Sequence, residues 1–109
     1  MNIINDLTQV LIERISDEPE QSYVASLYQQ GTNKILEKIG EETTEVLIAA
    51  KDADHNSTDK GHLVKKVAYL WFHTMVLLIH LDLRPQEVLD ELANRFGVGG
   101  HDEKASRQT

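Results

Sequence analysis

The residues best placed to do chemistry are the acids and lysines of KILEKIGEETTEVLIAAK, residues 34–51. Set on a helical wheel at ~100° per residue, Ile39, Val46 and Ala49 fall within about 40° of Ile35. Glu42 falls in the same stripe. A carboxylate among apolar side chains is costly unless something pairs with it, so Glu42 is hard to dismiss as part of a solvated face. Lys34, Lys38, Glu41 and Glu45 form the adjoining flank. Those four alone also read as a solvated face with i,i+4 Lys–Glu pairs. Carboxylates at i and i+3 on one helix suit Mg²⁺, a hard ion that takes oxygen ligands and keeps several waters. Helix bundles build internal ion sites from two such clusters on facing helices.

The facing cluster should come from HLVKKVAYLWFHTMVLLIHL, residues 62–81, where one narrow polar strip holds Lys66, Tyr69, His73 and His80. Positions 66, 69 and 73 share a helical face. Lysine only donates hydrogen bonds, so a strip holding Lys66 and His73 does not read as a metal half-site. Its simplest reading is a core histidine and a tyrosine finding partners while Lys66 reaches for water. No H-E-x-x-H, Walker loop or G-x-G-x-x-G occurs, and His101 and Asp102 have no evident partner.

The elements that position these residues are helices. Ile3, Leu7, Val10, Leu11 and Ile15 make an apolar stripe that ends at Asp17-Glu18-Pro19-Glu20. Residues 21–31 read as a loop with one helical turn, broken by Gly31. Thr32 is the expected N-cap of a second helix reaching about residue 53. A turn-rich stretch from Asp52 to Gly61 leads into a third helix over 62–81. That helix is apolar nearly all round, which predicts a place at the centre of a bundle. Pro85 fits the first turn of a fourth helix, with Val88, Leu89, Leu92 and Phe96 on its apolar face and Gly97 at its end. The expected organisation is one all-α domain over residues 1–97 and a tail over 98–109.

Composition narrows the function classes. The chain has 109 residues, 40% hydrophobic and 27% charged, which fits one ordinary globular domain. A net charge of -7 excludes a basic nucleic-acid binder and gives no attraction to an anionic membrane. Without cysteine there is no disulfide, thiolate zinc site or cysteine nucleophile. The N-terminus lacks a basic region followed by an apolar core, so no signal peptide is expected. The apolar run Leu70–Leu81 is too short to span a bilayer. A cytoplasmic location is the resulting expectation.

The string from Ser22-Tyr23 through Leu27, Gly31, Lys34 and Lys38 to Gly40-Glu41-Glu42 and Glu45 resembles the signature of the phosphoribosyl-ATP pyrophosphohydrolases of histidine biosynthesis. VAYLWFHTMVLLIHLDLRPQEVLDELANR and the ending GHDEKASR resemble the family's second half and its C-terminal motif. The likeness covers about residues 3–107. The wider MazG-like superfamily shares the E-x-x-E helix but not the block around Ser22 and Tyr23.

The resemblance implies a four-to-five-helix MazG-like bundle completed by homodimerisation. It implies Mg²⁺-dependent hydrolysis of phosphoribosyl-ATP to phosphoribosyl-AMP and pyrophosphate. The first metal pair falls on Glu42 and Glu45, with Glu41 beside it, and one of these three orients or deprotonates the attacking water. Lys34, Lys38, Ser22, Tyr23, Lys104 and Arg107 are the implied contacts to substrate and its phosphates. The second metal pair, E-x-x-D in the superfamily, falls on Lys66 and Tyr69, followed by His73. Both expected carboxylates are therefore replaced. A lysine there puts a fixed positive charge at a ligand position and can pair with Glu42 or Glu45, so weak Mg²⁺ binding and impaired turnover are expected. Two alternatives remain: a MazG-like hydrolase of other nucleotides, and a non-catalytic helical dimer that binds a nucleotide or a partner.

Overall fold

The computed structural model describes residues 2–97. The implied contacts Lys104 and Arg107, together with His101, Asp102 and the tail over 98–109, lie outside the described residues. The chain order is α1 (Ile3–Arg14), α2 (Tyr23–Gln30), α3 (Thr32–His55), a short 3₁₀ turn (Ser57–Asp59), α4 (Lys60–His80) and α5 (Pro85–Phe96). Among the described residues there is no strand, and the all-α class holds.

Local chemistry accounts for most of the helix ends. The Asn2 side chain accepts from the backbone N–H of Asn5 at 3.2 Å and starts α1. At α5, Pro85 occupies the first turn and the Arg84 backbone N–H donates to the Glu87 carboxylate at 2.7 Å. Gly97 closes α5 in the left-handed conformation, φ 68° and ψ 34°.

Three expectations need correction. Residues 23–30 form a full helix rather than a loop with one turn. Ser22 starts it by accepting from the Ala25 N–H at 3.1 Å, and Val24, Ala25 and Leu27 are buried beneath it. Thr32 is the first residue of α3, not its cap; Gly31 holds the cap position at φ 92° and ψ -175°, a conformation that favours glycine. α3 and α4 also extend slightly further than expected, to His55 and back to Lys60.

The core lies where α1, α2, α3 and α4 converge. Leu11, Val24, Leu27, Ile35, Met75, Val76 and Ile79 form it, with Leu7, Ile39 and Phe72 packed against its edge. α3 and α4 run along one another in the most extensive helix pairing of the fold. This pairing brings residues 42–45 opposite residues 66–73.

The rest of α4 departs from the predicted central helix. His73, Met75, Val76 and Ile79 are its buried residues, while Val64 is 68% and Trp71 62% exposed. By length and composition alone α4 is apolar enough to cross a membrane, its best window having a mean hydropathy of 1.2. That apolarity is only partly used inside one chain. A groove of about 430 Å³ runs between α1, α4 and α5, walled by Ile4, Trp71, Met75, Leu78, Val88 and Leu92 among others. Leu47 and Ile48 leave a second apolar surface exposed on α3. The Cα radius of gyration is 16.6 Å, against roughly 13 Å for a compact domain of this length.

Candidate active site

Helix periodicity puts Glu42 and Glu45 on α3 where it faces α4, with Glu41 exposed beside them. Glu42 follows Ile35 and Ile39 along the inward stripe, which draws its carboxylate out of water. Its Oε2 is buried without a hydrogen-bond partner. Burial raises its pKa above the usual carboxylate range, and the neighbouring Glu45 carboxylate adds to the rise. The nearby His73 and Lys66 oppose it. The acid singled out by its apolar neighbours in the sequence is thus the acid held in an abnormal environment.

Lys66 faces this pair from α4. Its Nζ lies 3.5 Å from Glu45 Oε1, and its side chain is 20% exposed against 45% for Glu45. Of the two acids the sequence offered as partners, Glu45 is the one within ion-pair distance. The same ammonium sits 5.7 Å from the centre of the Tyr69 ring, inside cation–π range. Tyr69 itself is half exposed. The two residues that replace the expected carboxylates therefore touch each other, and one of them is tied across to α3.

The lysines on the flank of α3 pair at i,i+3 rather than the anticipated i,i+4. Lys34 meets Glu37 at 3.5 Å and Lys38 meets Glu41 at 3.5 Å. Glu41 and Tyr23 beside Lys38 hold its pKa above the ordinary lysine value.

Tyr23 and His73 close the site toward α2. The His73 Nδ1 lies 2.9 Å from the Tyr69 carbonyl oxygen, which can only accept, so Nδ1 carries the proton. Nε2 is then free to accept from the Tyr23 hydroxyl at 2.8 Å. The Tyr23 ring stacks on Phe72 with centroids 6.4 Å apart. Burial raises the Tyr23 pKa, Lys38 opposing, so the hydroxyl stays protonated and donates. Ser22 is 8% exposed and its hydroxyl caps α2, a structural use of the group. His80, the last member of the polar strip, lies at the far end of α4. Its Nε2 is 3.1 Å from the Thr32 hydroxyl and its ring meets Tyr28 edge-on.

Sequence reasoning missed Phe72 as the support for Tyr23 and Glu37 as the partner of Lys34. The i,i+3 spacing of Lys34 and Glu37 was the available signal for the second. The structure brings Tyr23, Lys38, Glu41, Glu42, Glu45, Lys66, Tyr69 and His73 to one region. Among the described residues, no three His, Cys, Asp or Glu side chains gather as a metal-holding group. A family model described as phosphoribosyl-ATP pyrophosphohydrolase matches residues 4–96.

Proposed function

The chain belongs to the phosphoribosyl-ATP pyrophosphohydrolase family, and we propose that phosphoribosyl-ATP is its substrate while hydrolysis by this chain is impaired. The observation that carries the second half is the Lys66–Glu45 pair at 3.5 Å. Mg²⁺, the family's implied metal, takes oxygen ligands, and the resemblance implies that carboxylates on both facing helices supply them. Here α3 offers Glu42 and Glu45, while α4 offers an ammonium and a phenol. Lys66 repels a dication and occupies one of the two acids that would ligate it. This donor set does not fit Mg²⁺.

What the chain's own residues supply is binding and orientation. Lys34 and Lys38 stand on the flank of the acidic cluster, where they would meet the substrate's phosphates. Glu41, Glu42 or Glu45 would orient the water that attacks phosphorus, releasing pyrophosphate from the α–β bond. In the absence of the dication that normally offsets the developing charge, this attack should be slow.

The proposal includes a homodimer in the cytoplasm. Support for the dimer comes from the groove beside Trp71 and the exposed Leu47, Ile48 and Val64, more apolar surface than one chain covers.

The test is pyrophosphate release from phosphoribosyl-ATP at saturating Mg²⁺, for this chain and for the double variant Lys66→Glu, Tyr69→Asp. Turnover confined to the double variant supports the reading. Equal turnover by the unaltered chain would overturn the assignment of the second half-site to positions 66 and 69.

A further inference from the structure

Lys38 and Lys66 border this site, Lys34 lies one turn further along α3, and in each ion pair the lysine is the less exposed member. Side-chain exposures are 33% and 55% for Lys34 and Glu37, 30% and 53% for Lys38 and Glu41, and 20% and 45% for Lys66 and Glu45. Each contact measures 3.5 Å, long for a charge-assisted hydrogen bond. The acids therefore lie on the solvent side and can swing into water, while the lysines are held by the helices that carry them. Within this group the three pairs cancel in charge. A dication meets the Lys66 ammonium beside Glu45, whereas an anion that displaces Glu41 and Glu45 meets the ammonium groups of Lys38 and Lys66.

We propose that Lys66 serves as a resident cation, so that the site receives the polyphosphate of a nucleotide as the free anion rather than as its Mg²⁺ chelate. This rests on the site being the phosphate site of the proposed function. The Lys66 ammonium lies between Glu45 of α3 and the Tyr69 ring of α4. An incoming phosphate oxygen exchanges with Glu45 for the lysine's protons, and the Tyr69 ring keeps the ammonium in place while the partners change. Chelated Mg²⁺ brings positive charge toward Lys66 and removes the oxygens that Lys66 would bind. The preference should therefore be the inverse of that of a site with four carboxylates.

The probe is inorganic pyrophosphate, titrated calorimetrically into the full chain, first in EDTA and then with excess Mg²⁺. Binding is expected in EDTA and should weaken about tenfold or more with Mg²⁺, the loss of one charge-assisted contact. Lys66→Met should lose a similar factor in EDTA, and Lys66→Arg should retain binding. The Lys66→Glu, Tyr69→Asp variant should reverse the order and bind pyrophosphate only with Mg²⁺. Far-ultraviolet circular dichroism on each variant confirms that the helices persist, and Lys66→Gln supplies the charge test if Lys66→Met fails to fold. Equal or tighter binding with Mg²⁺ by the unaltered chain overturns the proposal, as does no binding in EDTA. Undiminished binding by folded Lys66→Met overturns it too. If pyrophosphate behaves as expected but the double variant never cleaves phosphoribosyl-ATP, the substrate assignment fails while the anion site stands.

Discussion

The Glu42 carboxylate joins two properties that rarely coexist on a surface helix: a buried oxygen without a partner and a second acid one turn away. Its folded-state pKa is raised, so the native state holds the proton more tightly than the unfolded chain does. The associated stability is fully present below the ordinary carboxylate range and is lost as pH rises through the raised value. Urea midpoints measured across that window should fall with rising pH. Glu42→Gln, which carries no charge, should flatten the fall and be the more stable protein at neutral pH. Tyr23 offers a second test, because its hydroxyl donates to His73 at 2.8 Å. Tyr23→Phe should cost about 1 kcal/mol in urea unfolding, since the His73 nitrogen loses its donor. At this scale the site was partly legible in the sequence. Glu42 stood out because its wheel neighbours are apolar, and positions 66 and 69 because a lysine and a tyrosine stand where acids were expected. The Tyr23–His73 bond was not legible, since it joins residues 50 apart that only the folding of α2 against α4 brings together.

α2 shows why one element escaped the reading of the sequence. It is eight residues long, little more than two helical turns. Tyr23, Tyr28 and two glutamines dilute its apolar signal. The cues were at its ends: Ser22 as cap and Gly31 as stop. The longer helices were legible because Pro85, Gly97 and the turn-rich 52–61 segment bracket long periodic runs. Gly31 also joins α2 to α3 without a linker, at φ 92°, where a Cβ meets no other atom but the backbone is strained for any L side chain. Gly31→Ala should therefore destabilise the protein by about 1–3 kcal/mol through backbone strain alone. A chemical-denaturation midpoint shifted with an unchanged slope would show it. No shift would mean that the α2–α3 junction relaxes into an ordinary conformation.

For the whole molecule, the apolar pattern of α4 exceeds what one chain buries. A helix apolar on nearly every side was expected at the centre of one chain; instead Val64 and Trp71 face outward. If a second copy covers the groove beside Trp71, Trp71→Glu should turn a dimer into a monomer in sedimentation at micromolar concentration. The melting temperature of the unaltered chain should also rise with its concentration, and that of the variant should not. A unaltered chain that sediments as a monomer would remove the dimer from the proposed function. Trp71 has one more consequence, because it is the chain's single tryptophan and is 62% exposed at the rim of that groove. Its indole is a built-in optical label at the place where association is expected. On dilution its emission should move to longer wavelength as water reaches the ring, reporting assembly without a dye or an introduced fluorophore.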